Sequence, residues 1–371
     1  MTRIPGFDAG SDHLRVERAI VEFRSGRPVL IEGDAGTALV ISIEDLDTGR
    51  SQELDAVAQG RARLVLPGAR LRRLGSERQQ PGTIALPVIA WSRIEALALR
   101  TEARIDAPVS PTTGIDDEAL ELARLALVLP AALVIPCLAH DLGDSAIART
   151  RGAAIREFRA ARAREIRIVG RAPVPLEGAP ETEFVVFRGG EGLRDQVAII
   201  IGKPDRAEPI PVRLHSACLT GDLFGSLKCD CGDQLRDTVR RMAESGGGIL
   251  LYLDQEGRGN GIANKIRAYK LQSQGYDTYD ADEMLGFDLD QRRFDFAAEM
   301  LRQLGIGRVR AITNNPEKIA ALRKAGLDVV SEQRVLGRET AHNVRYLTSK
   351  RDRAGHHIDL DTLAALAPAR D

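Results

Sequence analysis

Residues 248–265 read Gly-Ile-Leu-Leu-Tyr-Leu-Asp-Gln-Glu-Gly-Arg-Gly-Asn-Gly-Ile-Ala-Asn-Lys, and this stretch indicates the fold class. Its apolar start predicts a buried strand, the glycines predict a sharp turn, and an amphipathic helix follows from Asn264 to Gln274. The same alternation continues on both sides. Strands are predicted at 183–187, 196–201 and 308–312, and helices at 231–245, 294–304 and 315–325. This alternation is typical of an α/β domain.

Upstream, residues from about 14 to 145 indicate a second mixed α/β unit. Residues 14–24 have helical spacing, and the apolar segments 28–31 and 37–43 predict two strands. We therefore expect two α/β domains, since single cores rarely grow beyond roughly 250 residues.

Arginine is dense between the two units, from Arg149 to Arg171. This density predicts a solvated linker helix or a salt-bridged face, more than a phosphate or nucleic-acid site. Three prolines and a glycine then indicate a domain boundary, at positions 173, 175, 178 and 180. We place the boundary near residue 165, with one domain at 1–165 and the other at 166–371.

The composition excludes several classes of protein. The 371 residues include 52 Lys and Arg against 53 Asp and Glu, so the net charge of -1 offers no general attraction for nucleic acid. The longest apolar run, 125–139, is shorter than the roughly 20 residues that cross a bilayer. The N-terminus lacks the apolar stretch of a secretory signal. We expect a cytoplasmic protein with no membrane partner.

Three of the four cysteines lie close together in the sequence, at Cys218, Cys229 and Cys231. In a reducing cytoplasm, clustered thiols indicate a metal site before they indicate a disulfide. Three thiolates leave the fourth position of Zn²⁺ to water, which is the layout of a catalytic zinc. His215 as fourth ligand would instead close a structural site, and the spacing leaves both alternatives open. The fourth cysteine, Cys137, lies alone in the apolar run.

Three further polar clusters could carry chemistry. The turn after residue 253 offers backbone N–H groups and Arg258 to an anion, although a sharp turn without a ligand also explains it. Beside it, Glu256 can accept hydrogen bonds from an edge such as that of guanine. Residues 285–295 combine three carboxylates with two guanidiniums, a run that also occurs in solvated helix caps. Residues 313–318 leave a strand end for a helix N-terminus, which suits phosphate or a base edge.

Taken together and in this order, these segments resemble GTP cyclohydrolase II, the family that opens riboflavin biosynthesis. The resemblance covers about residues 166–357. It rests on Arg213-Leu-His-Ser-Ala-Cys-Leu-Thr-Gly-Asp222, Gln255-Glu-Gly-Arg-Gly259, Leu285-Gly-Phe with Asp290 and Arg292, and Thr313-Asn-Asn-Pro316. It implies hydrolysis of GTP to 2,5-diamino-6-ribosylamino-4(3H)-pyrimidinone 5′-phosphate, formate and pyrophosphate. It also implies one Zn²⁺ per subunit and Mg²⁺ on the triphosphate, and we expect a homodimer.

The resemblance also implies residue roles. The three clustered cysteines would hold the zinc that activates water for attack on C8 of the purine. Tyr269 would contact the reacting ring, although packing on an apolar helix face also explains it. Asp290 would accept a proton. Arg292 would be either the nucleophile toward the α-phosphorus or a stabiliser of phosphoryl charge, because a guanidinium has essentially no lone pair at neutral pH.

The implied substrate contacts come from five short segments of the chain. They are Arg213, Leu214, His215, Ser216, Ala217, Gln234, Glu256, Gly257, Arg258, Thr278, Thr313 and Lys318. Ala217 can contribute only through its backbone.

The first half resembles 3,4-dihydroxy-2-butanone 4-phosphate synthase weakly, over residues 16–31 and 111–116. The acidic loop and the Arg-x-Gly-His segment of that family are absent, so too few oxygen ligands remain for Mg²⁺. We predict a non-catalytic domain that serves dimerisation or stability. Two alternatives for the whole chain stay open: a GTP-binding or regulatory module without turnover, and a related purine-ring-opening enzyme with another product.

Overall fold

The computed structural model describes five stretches of the chain: residues 12–34, 36–137, 146–190, 194–287 and 292–334. The chain divides into two compact units. The first comprises Met1–Phe158, Ala263–Tyr276 and Asp280–Asp290, and the second comprises Arg159–Ile262, Asp277–Tyr279 and Gln291–Asp371. Each unit contains a mixed sheet with helices, so the predicted α/β class is confirmed for both.

The helices alternate with strands along most of the chain. In chain order, the described α-helices are α1 (Asp12–Arg24), α2 (Thr48–Ala58), α3 (Gly68–Arg73), α4 (Trp91–Leu99), α5 (Gly114–Ala126), α6 (Gly152–Arg164), α7 (Leu219–Asp222), α8 (Cys231–Glu244), α9 (Ile262–Ser273), α10 (Thr278–Met284), α11 (Asp295–Gln303) and α12 (Pro316–Lys324). None of these described helices has the length and apolar character that crossing a bilayer requires.

The first unit is built on one sheet. Its described strands are β1 (Val29–Gly33), β2 (Gly36–Ser42), β3 (Ala62–Leu66), β4 (Gly82–Leu86), β5 (Val109–Pro111), β6 (Ala132–Cys137) and β7 (Ala148–Arg151). Their order is β5-β4-β3-β6-β2-β1-β7. Among these described strands, β1 and β7 pair in parallel and the other neighbours are antiparallel.

Both faces of this sheet are buried, because successive side chains of a strand point to opposite sides. Leu30 and Leu39 belong to one apolar cluster, whereas Val29 and Val40 belong to another. The sequence of a strand that is buried on both faces is a continuous apolar run, which is the pattern at 28–31 and 37–43 that predicts these strands.

Parts of α9 and α10 complete the first unit although they lie far downstream in the sequence. Ala268, Ala281, Leu285 and Phe287 are buried in the same cluster as Leu30. The unit is therefore discontinuous, whereas the sequence suggests a single boundary near residue 165. The sequence gives no sign of this packing, because both helices follow the strand–helix alternation of the second unit.

The second unit also contains one sheet. Its described strands are β8 (Arg167–Pro173), β9 (Thr182–Arg188), β10 (Asp195–Gly202), β11 (Ile210–Ser216), β12 (Gly247–Leu253), β13 (Arg308–Ile312) and β14 (Asp328–Gln333), in the order β14-β13-β11-β12-β10-β9-β8. Strands β14, β13, β11 and β12 are parallel, and β10, β9 and β8 continue antiparallel. The carboxyl ends of β11, β12 and β13 therefore lie at one edge of the sheet.

The arginine-rich stretch forms regular structure in place of a linker: β7, α6 and β8. Its described ion pairs, such as Arg162 with Glu165 at 3.2 Å and Arg171 with Glu183 at 3.3 Å, leave at least one partner half exposed. This matches the alternative of a salt-bridged face, in which each pair contributes about 0–1 kcal/mol. The prolines that follow connect β8 to β9 inside the second unit.

The helix predicted after Asn315 is confirmed. The Asn315 side chain accepts a hydrogen bond from the Glu317 N–H at 2.8 Å, Pro316 is the first helical residue, and Gly326 beyond the end has a φ of +85°. Local capping chemistry determines all three positions.

Candidate metal centre

Three cysteine side chains converge just beyond the carboxyl end of β11. Cys218 precedes α7, and Cys229 and Cys231 lie at the start of α8. Their sulfur atoms all lie within 4.8 Å of one another, and the Sγ atoms of Cys218 and Cys229 are 3.5 Å apart. No other group of three His, Cys, Asp or Glu side chains in the described part of the chain comes together in this way.

Two glycines allow α7 and α8 to approach this closely. A Cβ atom at Gly221 would lie 2.7 Å from Sγ of Cys229 and 3.0 Å from Sγ of Cys218. A Cβ atom at Gly232 would lie 2.1 Å from the carbonyl oxygen of Gly221. Since carbon makes comfortable contacts at about 3.5–4.0 Å, a side chain at either position would displace the thiols or separate the helices. The sequence pattern alone does not reveal this requirement.

Each thiol of the cluster makes the neighbouring thiols harder to ionise. A hydrogen bond with Cys218 raises the pKa of Cys229 to about 11, and hydrogen bonds with Cys218 and Cys229 raise the pKa of Cys231 well above its usual range. Three thiolates this close need a cation to balance their charge, and a set of sulfur donors fits Zn²⁺. The residues present therefore fit the metal that the sequence predicts.

His215 faces a carboxylate and does not join the sulfur cluster. Its Nε2 lies 3.0 Å from both carboxylate oxygens of Asp222, and its ring stacks on Tyr252 with 5.6 Å between centroids. Burial lowers the pKa of His215, so the neutral ring donates its Nε2–H to Asp222. These contacts disfavour the alternative in which His215 is the fourth metal ligand.

Asp222 connects this histidine to the metal centre. Its carboxylate accepts hydrogen bonds from the backbone N–H of Cys218 at 2.9 Å and from the hydroxyl of Tyr252 at 3.0 Å. Burial raises the pKa of Tyr252, which keeps that hydroxyl protonated as a donor. The sequence pattern misses both partners, although Asp222 lies one helical turn after Cys218 and Tyr252 lies beside His215 in the β11–β12 register.

Arg213 lies buried on β11 and contacts α8. Its Nη2 donates to Oε1 of Gln234 at 2.7 Å, and Nε2 of Gln234 donates to Asp230 at 2.5 Å. Burial lowers the pKa of Arg213, and the nearby Asp230 opposes this shift. A guanidinium nevertheless stays charged at neutral pH. Two predicted substrate contacts, Arg213 and Gln234, thus belong to one hydrogen-bonded chain.

Three of the predicted substrate contacts lie in the turn after β12: Glu256, Gly257 and Arg258. A fourth, Thr278, lies beside them. Glu256 accepts hydrogen bonds from the N–H groups of Leu219 at 2.5 Å and Gly257 at 2.9 Å. Gly257 and Arg258 have φ values of 61° and 60°, a conformation that is costly for a residue with a side chain. The Arg258 guanidinium lies 4.6 Å from the Tyr279 ring centroid and donates to the carbonyl oxygen of Thr278 at 3.4 Å.

Two cations flank the ring of Phe294 at the carboxyl edge. Lys318 Nζ lies 5.3 Å from the ring centroid and donates to the carbonyl oxygen of Leu214 at 2.6 Å. The Arg292 guanidinium lies 5.6 Å from the same centroid, and its Nη1 is 3.5 Å from Oγ of Ser216. The ring stabilises both positive charges through its π face. Phe294 is a further residue that the motif comparison misses.

The remaining predicted residues lie as follows. The Ala217 N–H donates to the carbonyl oxygen of Leu253 at 2.7 Å, and Oγ1 of Thr313 accepts from the Asn315 N–H at 3.1 Å. Tyr269 belongs to the first unit, where Lys265 Nζ lies 5.6 Å from its ring centroid. Asp290 and the end of the resemblance beyond residue 334 lie outside the described residues.

The family model for GTP cyclohydrolase II matches residues 166–334. A protein of Xylella fastidiosa named GTP cyclohydrolase-2 is 46% identical over 354 residues, covering 94% of this chain and 89% of its own length. The chain belongs to the GTP cyclohydrolase II family. A second GTP cyclohydrolase-2, from Azospirillum brasilense, is 39% identical over 360 residues and covers 92% of this chain and 93% of its own length.

The predicted family, its enzyme class and its place in riboflavin biosynthesis are thereby confirmed. A GTP cyclohydrolase-2 of Vibrio vulnificus is 48% identical over 179 residues, which make up 90% of its length but 48% of this chain. GTP cyclohydrolase II enzymes therefore occur with and without a counterpart of the first half. Among solved structures, a two-domain 3,4-dihydroxy-2-butanone 4-phosphate synthase from A. baumannii is similar at 17% identity and a TM-score of 0.34, covering 87% of this chain and 99% of its own.

Proposed function

We propose that this GTP cyclohydrolase II is zinc-dependent and hydrolyses GTP to 2,5-diamino-6-ribosylamino-4(3H)-pyrimidinone 5′-phosphate, formate and pyrophosphate. The observation that carries the proposal is the convergence of Cys218, Cys229 and Cys231 at a sheet edge that also carries Arg292 and Lys318. Ligands of α/β proteins bind at the carboxyl ends of parallel strands.

The three cysteines would hold the zinc. When bound, Zn²⁺ supplies a Lewis acid that lowers the pKa of a coordinated water to about 7. Asp222 holds the backbone of Cys218 in place, and its hydrogen bonds to His215 and Tyr252 fix its own orientation. Partners of this kind typically change metal affinity by about 10- to 100-fold when removed.

Glu256 would orient the purine. Two backbone N–H groups fix its carboxylate, and a carboxylate is the acceptor that the paired N–H groups of a guanine edge require. Gly257 would contact the base through its backbone. We assign Arg213, Leu214, His215, Ser216, Ala217, Gln234 and Thr278 to the surrounding wall as substrate contacts.

Cations would hold the triphosphate. Arg258, Lys318 and Thr313 would bind phosphate oxygens, with Mg²⁺ neutralising the leaving pyrophosphate. Arg292 would stabilise charge on the α-phosphoryl oxygens, and attack by its own nitrogen on phosphorus would require a base such as Asp290 to remove a proton. Tyr269 would contact the imidazole ring as it opens.

We further propose that residues 166–371 carry the catalytic domain, that the domain at 1–165 is non-catalytic, and that the protein is a homodimer. The absence of the synthase acidic loop from the sequence supports the second point.

Product analysis tests the proposed function. The purified protein is incubated with GTP, Zn²⁺ and Mg²⁺, and formate, pyrophosphate and the diaminopyrimidine are quantified. We expect one formate and one pyrophosphate for each GTP consumed. The same protein treated with a chelator is the matched control and should release neither formate nor pyrophosphate. Added Zn²⁺ should restore the release of both. GTP binding without either product would contradict the proposal and favour a regulatory module.

A further inference from the structure

Gln255, in the turn after β12, has a buried side chain to which the proposed function gives no role. It is 0% exposed, and the two ends of its amide face different segments of the second unit. Nε2 donates to the carbonyl oxygen of Arg293 at 2.5 Å, and Oε1 accepts from the hydroxyl of Ser216 at 3.4 Å. The amide therefore connects the end of β11 to the segment that carries Arg292.

Both ends of this connection have a fixed polarity. The Arg292 guanidinium can only donate, and its Nη1 lies 3.5 Å from Oγ of Ser216. The Ser216 hydroxyl therefore accepts from Arg292 and directs its own proton to Oε1 of Gln255. The Arg293 carbonyl can only accept, so Nε2 of Gln255 is its donor. These hydrogen bonds form a chain that starts at the Arg292 side chain and returns to the next residue of the same segment.

The backbone around Gln255 holds its amide in place. The Gln255 N–H donates to the carbonyl oxygen of Leu253 at 2.8 Å, and its carbonyl oxygen accepts from the Gly259 N–H at 3.1 Å. The preceding N–H, of Asp254, donates at 2.8 Å to Oε1 of Gln196, a residue that is itself fully buried. The amide is therefore preorganised by the turn before any ligand binds.

The chain holds the backbone of the Arg292 segment more firmly than it holds the guanidinium. The hydrogen bond to the Arg293 carbonyl is short, whereas the two that pass through Ser216 are longer than about 3.2 Å, the upper end of the usual range. The buried ring of Phe294 adds a π face 5.6 Å from the guanidinium. A guanidinium held in this way can turn toward a phosphoryl oxygen while the backbone beneath it stays fixed.

We propose that Gln255 is a positioning residue for Arg292: its amide fixes the backbone at residues 292–293 and, through Ser216, holds the guanidinium at the end of β11. This inference rests on the proposed function, in which Arg292 stabilises charge on the α-phosphoryl oxygens. Gln255 acts through Arg292 and does not contact GTP. Its loss slows pyrophosphate release and leaves zinc binding and the affinity for GTP unchanged.

The first test removes the amide in the full-length enzyme. Gln255→Met keeps the length of the side chain but removes the donor and the acceptor. We expect kcat for pyrophosphate release to fall at least about tenfold, because small displacements of catalytic groups are costly. KM for GTP should stay within about twofold, and zinc content should not change. A rise in KM that accounts for the whole defect would assign Gln255 to the neighbouring Glu256 and would overturn the proposal.

Gln303→Met is the matched control. Gln303 is the last residue of α11, and its amide also donates to a backbone carbonyl of the second unit, that of Ile166 at 2.6 Å. Its other described partner is Glu299, on the same helix. We expect wild-type kcat and KM from this variant. Equal kcat values for Gln255→Met and Gln303→Met would contradict the positioning role.

A double-substitution cycle tests whether Gln255 acts through Arg292. Once the guanidinium is removed, its position no longer matters, so adding Gln255→Met to Arg292→Ala should lower kcat by less than about twofold. A further tenfold loss in the double variant would show that Gln255 acts independently of Arg292, and would overturn the proposal.

Gln255→Glu covers the case in which the methionine variant does not fold. It keeps the size of the side chain and the acceptor for Ser216, but a carboxylate cannot donate to the Arg293 carbonyl. We expect at least about a fivefold loss in kcat for pyrophosphate release with KM unchanged. Wild-type kcat from this variant would overturn the proposal.

Hydrogen exchange reports on the segment without any turnover. If the wild-type protein releases neither formate nor pyrophosphate, the proposed function fails, and exchange over residues 292–298 then decides the role of Gln255. Faster exchange in Gln255→Glu than in Gln303→Met supports the anchoring of this segment by the amide, and equal exchange overturns it.

Discussion

The two sheets, as far as the structure describes them, have the same number of strands but differ in strand direction. In the second unit, four neighbouring strands run parallel, so the carboxyl ends of β11, β12 and β13 meet at one edge. In the described first sheet, antiparallel neighbours place successive carboxyl ends at opposite edges, apart from the pair β1 and β7. The cysteine cluster, Glu256, Arg258 and Lys318 all follow parallel strands.

This difference shows how strand direction gathers chemistry from distant parts of a sequence. Residues 218, 256 and 318 are far apart along the chain, yet each follows a strand that ends at the same edge. In the first unit the helices cover both faces of the sheet, and its polar side chains contribute by holding α9 and α10.

The largest expected effect comes from removing a metal ligand at the parallel edge. Cys229→Ser should abolish zinc binding and reduce formate release by more than about 10³-fold, because the activating ion is lost. Elemental analysis measures the zinc content, and a formate assay measures the rate of formate release. Cys137→Ala is the matched control, since Cys137 is a buried cysteine at the end of β6 in the first sheet. Full zinc content in Cys229→Ser would contradict the assignment of the site.

Removing the cation near Ser216 should have the next largest effect. Arg292→Ala should reduce pyrophosphate release by about 10²- to 10³-fold, because charge on the phosphoryl oxygens is no longer balanced. Arg292→Lys keeps the charge and should recover part of the rate if charge stabilisation is the role. An inactive lysine variant with intact GTP affinity would favour the nucleophile instead. Unchanged pyrophosphate release in the alanine variant would reduce Arg292 to a structural residue.

The glycine between the thiols offers a finer test of the same edge. Gly221→Ala adds one carbon within 3.0 Å of two sulfur atoms, and we expect zinc affinity to fall by about 100-fold. Competition with a chromogenic chelator measures this affinity. Gly307→Ala, in the same unit, adds its carbon to open space and should bind zinc normally. Similar affinities for the two variants would show that the space beside the thiols is not restricted.

The smallest expected effect is a pH dependence of stability. Burial lowers the pKa of His215 below its usual value of 6.5, so the unfolded chain binds a proton more readily than the native protein. The contribution of His215 to the free energy of unfolding is therefore fully present above pH 6.5. It is lost as pH falls from 6.5 through the folded pKa, and the free energy of unfolding decreases by at most about 1.4 kcal/mol per pH unit.

Thermal unfolding from pH 5 to 8 measures this dependence. His215→Asn should flatten the fall in Tm below pH 6.5, whereas His13→Asn on α1 should retain the wild-type slope. A slope in His215→Asn that equals that of the wild type would rule out the buried ring as its source.

Much of the fold could be predicted because it depends on local chemistry. Asn315, Pro316 and Gly326 mark the ends of α12 through capping, and the apolar runs of β10 and β12 identify buried strands. The three cysteines could be identified as candidate metal ligands because few other residue types bind metals so specifically. These features need no knowledge of what lies across the sheet.

Other parts depend on contacts that no local pattern records. Tyr252 becomes a partner of His215 and Asp222 only because β11 and β12 are adjacent, and Arg70 meets Met284 only once α10 packs on α3. Nothing in the sequence around Arg70 distinguishes it from the neighbouring Arg72 and Arg73, which are partly exposed. The arginine-rich stretch predicts a solvated linker helix or a salt-bridged face, and its charge density masks the strands β7 and β8 on either side of α6.

The discontinuity of the first unit has a consequence during synthesis on the ribosome. The strands of its sheet are complete once β7 has emerged, but the apolar cluster that includes Leu30 still lacks Ala281, Leu285 and Phe287. The nascent chain must therefore keep that surface uncovered while β8 to β12 of the second unit are being translated. Domains usually fold one after another from the N-terminus, but here the earlier one can finish only after five strands of the later one have been made.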